Sequence, residues 1–248
     1  MNAAAQKTAC VIIIGNEILS GRTQDANLSF IGRRCDALGI RLEQARVIPD
    51  IEATIIEHVR ECASRFDYVF TTGGIGPTHD DITSASVAKA FGLALVRRTD
   101  AVAAMQRHYG PGQLNAARLK MAEAPEGVPL IDNPVSGAPG FQVHNVFVLP
   151  GVPDIMQAMF DGITDRLAGG APILTESVGT DLREGDIAPG LDAIQSRHPD
   201  ITIGSYPYFR QGRLGVNIVS RGTDAHALGA VTEAVRALVR ELGGNLLN

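Results

Sequence analysis

The chain has 248 residues, a formal net charge of −5 and a sequence pI near 5.7. It therefore lacks the basic excess of a nucleic-acid backbone binder, and with no Trp and 5% aromatic residues it lacks a base-stacking platform. Hydrophobic residues reach 45%, yet no apolar run is long enough to span a bilayer, and "VIII" at 11–14 is too short for a signal-peptide core. Cys10, Cys35 and Cys62 have no CxxC spacing and sit among apolar or helical neighbours. They read as buried free thiols of a soluble, cytoplasmic protein.

In chain order, "TACVIIIG" (8–15) is β-branched, continuous and ended by glycine, which predicts a buried strand. Residues 25–39 predict a helix: Asp25 is placed to cap it, Leu28, Ile31, Cys35 and Leu38 share a face, and Gly39 stops it. "IRLEQARVI" (40–48) predicts the second strand. After Pro49-Asp50, Ile51, Ile55, Val59 and Cys62 recur at helical spacing. "DYVFTT" (67–72) predicts the third strand, and a helix from Ile82 follows the turn "GGIGPTHDD". This β-α-β-α-β-α order with continuous apolar strands implies a parallel sheet covered on both faces, with ligands received at the strands' carboxyl ends.

Residues 99–124 read as helical, 133–142 as a Pro/Gly-rich loop, 145–151 as a strand running into a turn, and 152–169 as an amphipathic helix. "GGAP" (169–172) reads as a linker. Beyond it the pattern is strand 173–178, helix 184–197, strands 201–206 and 214–220, and helix 224–242, with "PYFRQGR" turning the chain. The expectation is a main α/β domain over 1–169 and a small α+β domain over 170–248.

Gly73, Gly74 and Gly76 allow backbone N–H groups to approach a ligand ahead of a helix start. Asp80 and Asp81 follow at once. One carboxylate could cap that helix, whereas two exceed what a cap requires and would repel a bare phosphate. A divalent cation such as Mg²⁺, Mn²⁺ or Co²⁺ resolves the conflict by bridging carboxylates to substrate phosphates. Asp50 ends the second strand, and Asn16, Glu17 and Asp25 follow the first, so carboxylates from three strand ends are expected at one glycine-rich cradle. His79 is either a ligand or base or a solvent-facing turn residue. Arg118 and Lys120 either offset phosphate charge or form a solvated helix face. Tyr206, Tyr208 and Phe209 either stack on an aromatic ligand or pack the last hairpin.

Several ordered motifs together resemble one family. "TTGGIGPTHDDIT" (71–83), which includes Thr72 and Thr78, resembles the signature of the molybdopterin-binding fold shared by MoaB/MogA proteins, gephyrin and the N-terminal region of CinA. "IGNEILSGRTQDAN" (14–27), with Gly15 and Asn27, "VIPD" (47–50), "GAPGF" (137–141) and "LPGVPDIMQAMF" (149–160) resemble CinA-type segments. The resemblance implies a three-layer α/β sandwich with a mostly parallel sheet, plus a small C-terminal α+β subdomain. It also implies a site for a pterin or nucleotide pyrophosphate, with the aspartates at Asp50 and Asp81 as the functional and metal-holding pair. Gly137, Ala138, Pro139, Gly140, Pro150 and Gly151 join the substrate-binding set by the same route. The implied activity is metal-dependent hydrolysis of a nucleotide diphosphate of the ADP-ribose or FAD class by a homo-oligomer. The alternatives are a non-catalytic module with molybdopterin or a nucleotide as ligand, and a molybdopterin adenylyltransferase. Asn16 stands where the CinA pattern has an acid, which removes one carboxylate and counts toward the non-catalytic reading.

Overall fold

The computed structural model describes residues 6–110, 112–210 and 213–247. The chain divides into two units, one through Gly170 and one from Ala171 onward. In the first unit β1 (Lys7–Ile14) is followed by α1 (Asn16–Leu19), α2 (Asn27–Ala37), β2 (Ile40–Ile48), α3 (Glu52–Arg65), β3 (Tyr68–Thr72) and α4 (Thr83–Ala90). Then come β4 (Leu95–Arg97), α5 (Thr99–His108), α6 (Ala116–Lys120), β5 (Glu123–Pro125), β6 (Leu130–Ile131), β7 (Gly140–Val143), β8 (Val146–Leu149) and α7 (Pro153–Asp161).

Six strands form one sheet in the order β2-β1-β3-β8-β7-β6. The first four are mutually parallel, and β7 and β6 add an antiparallel edge. Strand parity sorts β1 between two cores. Cys10, Ile12 and Ile14 pack with Ile55, Val59 and Cys62 of α3 and Val87 of α4. Ala9, Val11 and Ile13 pack with Ile31 and Cys35 of α2 and Met156, Met159 and Phe160 of α7. A continuous apolar strand buried on both faces is thus the centre of a three-layer sandwich, as the sequence implies. The second core holds an aromatic cluster, with Phe70 5.5 Å from Phe147 and 5.0 Å from Phe160 between ring centroids. All three cysteines are free and buried.

Three local expectations are corrected. Residues 99–124 are not continuously helical: α5 ends at His108, and β5 pairs antiparallel with β4 through Val96 and Ala124. The loop expected over 133–142 ends early, because Gly140 and Phe141 pair with β6 and Phe141 with Val148 of β8. The helix over 152–169 stops at Asp161, beyond which only a 3₁₀ turn, Thr164–Arg166, is wound.

The second unit has β9 (Leu174–Thr180), α8 (Glu184–Arg197), β10 (Thr202–Arg210), β11 (Arg213–Gly222), α9 (Ala225–Glu241) and β12 (Leu246–Leu247). Its antiparallel sheet runs β10-β11-β9-β12. Val178, Val216 and Ile218 pack with Ile187, Leu191 and Ile194 of α8 and Val231, Val235 and Val239 of α9. Asp224 caps α9, accepting the N–H groups of His226 at 2.8 Å and Ala227 at 3.0 Å. The turn expected over 207–213 starts later: β10 carries Pro207, Tyr208 and Phe209, and Gln211 and Gly212 lie outside the described residues. Of the aromatics expected to pack the hairpin, Tyr206 lies against Gly204 of β10 and Tyr208 against Gly215 of β11, whereas Phe209 is 70% exposed. No helix among the described residues is long and apolar enough to cross a membrane.

A charged cluster ties β2 to α3. Arg46 donates to both Glu61 carboxylate oxygens, at 2.5 and 2.7 Å, and Arg65 donates to Glu61 at 2.8 Å. The hydrogen bond from Arg46, with that from Arg65, holds the Glu61 carboxyl down at about 2. A folded-state value below the unfolded one means this contribution is present above roughly pH 4.3 and is lost as pH falls toward 2. Glu61→Gln is expected to flatten the acid limb of a melting-temperature profile between those limits. An unchanged limb would show that the cluster adds nothing to stability.

Candidate functional site

The parallel strands β2, β1, β3 and β8 end side by side, so the loops after Ile48, Ile14, Thr72 and Leu149 emerge at one edge of the sheet. That is the edge at which open α/β sheets receive ligands. A cavity of about 490 Å³ opens there. Glu17 comes to its wall from α1, directly after β1, Gly73, Gly74, Gly76 and Asp81 from the turn after β3, and Pro150 and Gly151 from the turn after β8. Ala138 comes from the loop before β7.

The turn after β3 is shaped by contacts that admit no side chain. Gly73 has φ +100°, and a Cβ there would lie 2.2 Å from the Ile14 carbonyl oxygen of β1. Gly74 has φ +67°, and a Cβ there would meet the Thr83 hydroxyl at 2.1 Å. A Cβ at Gly76 would lie 2.7 Å from Asp81 Oδ2, so glycine lets that carboxylate fold back over the turn. Asp81 Oδ2 accepts the Thr78 N–H at 2.8 Å and the Thr78 hydroxyl as well. Lys120 donates to the Thr78 carbonyl, pinning the same segment from α6. The hydroxyls of Thr72 and Thr83, which bracket the turn, are buried without a partner. Buried unpaired polar groups of this kind commonly mark an absent water, ion or ligand.

Asp50 and Asp80 are placed differently from Asp81. Asp50 Oδ2 accepts the Asn16 N–H at 2.8 Å and orders the start of α1; Asp50 does not line the cavity. Asp80 points away as well, with its side chain 66% exposed beside His79, which is 99% exposed. The Asp80 carboxyl lies below its ordinary value, first through the Thr78 hydroxyl and then its own N–H, with smaller help from His79 and Lys120. The hydroxyl's single proton goes to Asp81 by geometry, so Asp80 is its weaker acceptor. Among the described residues no group of three or more His, Cys, Asp and Glu side chains could hold a metal. Glu17 and Asp81 are the carboxylates on the cavity wall, and Asp50, expected to pair with Asp81 at a metal, is not on it.

Residues 10–169 match the family described as "Probable molybdopterin binding domain", and residues 172–245 match "FAD synthase, middle domain". The chain belongs to the molybdopterin-binding-domain family. Within that family, a protein of Pyrobaculum calidifontis is 33% identical over 97% of this chain and 98% of its own length. The "Probable FAD synthase" of Caenorhabditis elegans is 31% identical over 94% of this chain, which spans 50% of that longer protein. The solved structure of a CinA protein of unknown function from Thermoplasma acidophilum has a TM-score of 0.61 and 38% identity. It covers 66% of this chain and 99% of its own. The CinA-like, MoaB/MogA-type reading of the motifs therefore stands.

Other residues that the family resemblance singled out hold the site together without lining it. Asp25 accepts the Leu28 N–H at 2.8 Å, the capping role its position suggests. Asn27 is buried, and its amide donates to the Gly151 carbonyl at 2.8 Å, tying α2 to the turn after β8. Gly15 is buried, and a Cβ on it would strike the Glu17 carboxylate at 2.4 Å. Gly137 and Gly140 serve packing: Cβ atoms there would lie 2.6 Å from His108 Cβ and 2.3 Å from the Val148 carbonyl oxygen. Thr78 and Pro139 are off the wall, as is Arg118, which donates to the Gln113 carbonyl and stacks 4.8 Å from the Tyr109 ring centroid.

The cavity also recruits residues that no motif pointed to. Asn133 accepts the Val135 and Ser136 N–H groups at 3.1 and 2.9 Å and donates to the Ala138 carbonyl at 2.7 Å. That Asx-type loop brings Ser136 and Ala138 to the wall. Met121, outside every motif, joins Ile75, Val152 and Ile155 of the quoted motifs to give the cavity an apolar side. An Asn opening a Pro/Gly-rich loop was the available sequence signal.

Proposed function

We propose that the chain is a metal-dependent pyrophosphatase acting on a nucleotide diphosphate of the ADP-ribose or FAD class. The observation that carries this reading is the meeting of Asp81 and Glu17 with the glycine turn and an apolar wall in one cavity at the strand ends. Asp81 and Glu17 would hold the cation, with Asp50 behind them setting the Asn16 backbone. The cation, once bound, supplies charge neutralisation for the diphosphate and an acidified water. The protein's own part is positioning. Thr78 fixes the Asp81 carboxylate, and Lys120 fixes Thr78. Gly74 to Gly76 give the phosphates access to main chain, and Ile75, Val152 and Ile155 offer the rest of the substrate an apolar surface. The "FAD synthase, middle domain" match of the second unit and the FAD synthase relative support a nucleotide substrate.

A second reading, binding of molybdopterin or a dinucleotide without turnover, draws on Asn16 and on the absence of a three-acid cluster among the described residues. One screen separates the two. ADP-ribose, FAD and NAD are incubated with Mg²⁺, Mn²⁺ or Co²⁺ and AMP release is followed. Metal-dependent AMP formation is expected; tight calorimetric binding without product would decide for the binding module.

A further inference from the structure

The second unit has a cavity of its own, about 560 Å³, which nothing above uses. Its wall includes Ser177, Tyr208, Asn217, Arg236, Arg240 and Leu247, and all of its lining residues belong to the second unit. The volume is within the range of small-molecule sites. We infer that this cavity is a second ligand site, binding a phosphorylated aromatic small molecule of the nucleoside monophosphate class.

Charge is the first argument. In a chain of net charge −5, the charged residues lining this cavity are both arginines. They stand four residues apart on α9, so their stems leave one face about 6 Å apart along the axis. Arg236 shares its charge with Glu233, at 2.9 Å, and the adjoining hollow also carries Glu176. The Arg240 guanidinium makes no hydrogen bond or ion pair among the described residues, so it is the stronger anion anchor. Guanidinium groups suit phosphate because their fork of donors matches its oxygens.

The sheet supplies the second argument. Asn217 lies directly opposite Gly179 on β9, and Gly215, two residues earlier on the same strand, lies opposite Tyr208 on β10. Residues at these positions share one face, the one opposite Val178, Val216 and Ile218, which pack on α9, so the cavity joins them to the arginines around the sheet. Neither glycine leaves open space: a Cβ at Gly179 would lie 2.9 Å from the Leu247 carbonyl oxygen of β12. A Cβ at Gly215 would come within 2.6 Å of both Tyr208 Cζ and Oη, so the glycine lets the tyrosine ring lie across β11. The Asn217 carboxamide, half-buried, has no partner among the described residues. It offers both a donor and an acceptor, beside a phenol ring that can cover a planar heterocycle. Phosphate at Arg240 and Arg236, and a ring against Tyr208 within reach of Asn217, leave only Ser177 among the polar lining side chains without a role.

The test is calorimetric titration of the full chain with AMP, inorganic phosphate and adenosine, without divalent metal. Wild-type protein is expected to bind AMP at least 10-fold more tightly than either fragment. Arg236→Ala/Arg240→Ala is expected to weaken AMP at least 10-fold, and Asn217→Ala to weaken AMP more than phosphate. The arginine variants place the best helix former on a solvent-accessible part of α9, so the fold is retained, and circular dichroism checks it. Asp81→Ala, in the first unit, is expected to leave this binding in place. Unchanged AMP affinity in the double variant, or phosphate binding as tightly as AMP, would overturn the proposal. Loss of AMP binding in Asp81→Ala alone would assign it to the first unit and overturn it too.

Discussion

Asp81→Ala is expected to lower diphosphate turnover by about 10²- to 10³-fold, the scale on which loss of one preorganised electrostatic group is felt. Asp81 is the carboxylate of the glycine turn that reaches the cavity wall, facing a space also lined by Glu17. Its orientation is over-determined, by the Thr78 N–H and hydroxyl on one side and the missing Cβ of Gly76 on the other. Removing it leaves Thr78 on an exposed loop, where water replaces the lost acceptor, so the stability cost is about 1 kcal/mol. Asp81→Asn separates chemistry from structure: it keeps an acceptor for Thr78 and loses the negative charge. Both variants should melt close to wild type and lose turnover together. Asp80→Ala, by contrast, removes an exposed carboxylate that does not line the cavity, and is expected to retain most of the activity. Wild-type rates for Asp81→Ala across the three cations would sink the hydrolytic mechanism.

How far the sequence was legible follows from which signals are local. β1 could be read because "VIII" is apolar at every position, and only a strand covered on both faces uses such a run; Ile12 and Ile13 duly enter opposite cores. The convergence of the loops after β1, β2 and β3 followed from the alternation of elements, and the turn after β8 joined them only through the family resemblance. The direction of each carboxylate did not. Asp50 and Asp81 sit at comparable strand ends, yet a 2.8 Å bond from the Asn16 N–H turns Asp50 to the chain beside it. Arg118 carries the charge a phosphate site needs, but the Tyr109 ring and the Gln113 carbonyl hold it elsewhere, partners that spacing does not reveal. Of the short strands, β5 was read within a helix and β7 within a loop, and β4 and β6 were given no element, because two to four residues carry too little periodicity and their register depends on neighbours far along the chain.

Gly73→Ala is expected to destabilise the first unit by about 3–5 kcal/mol, which places it in the severe tail of single substitutions. Two costs combine. The backbone at φ +100° disfavours any Cβ, by about 1–2 kcal/mol on the left-handed scale. The larger cost is steric, because the new methyl carbon would lie 2.2 Å from the Ile14 carbonyl oxygen. That oxygen belongs to the last residue of β1, the strand buried on both faces, which cannot shift without disturbing its pairing with β3 and β2. Gly21→Ala is the internal control. Gly21 has φ +71° and no heavy atom within 4 Å of a built Cβ, so it carries the backbone cost alone, about 1 kcal/mol. Denaturant unfolding of both variants should therefore differ by about 2 kcal/mol or more, with unchanged slopes. The comparison also bears on what a glycine-rich turn is for. If Gly73→Ala is as mild as Gly21→Ala yet loses nucleotide binding, the first glycine exists for the ligand. If it unfolds the unit, Gly73 exists to let β3 leave the sheet against β1, and the ligand's main-chain access falls to Gly74 and Gly76.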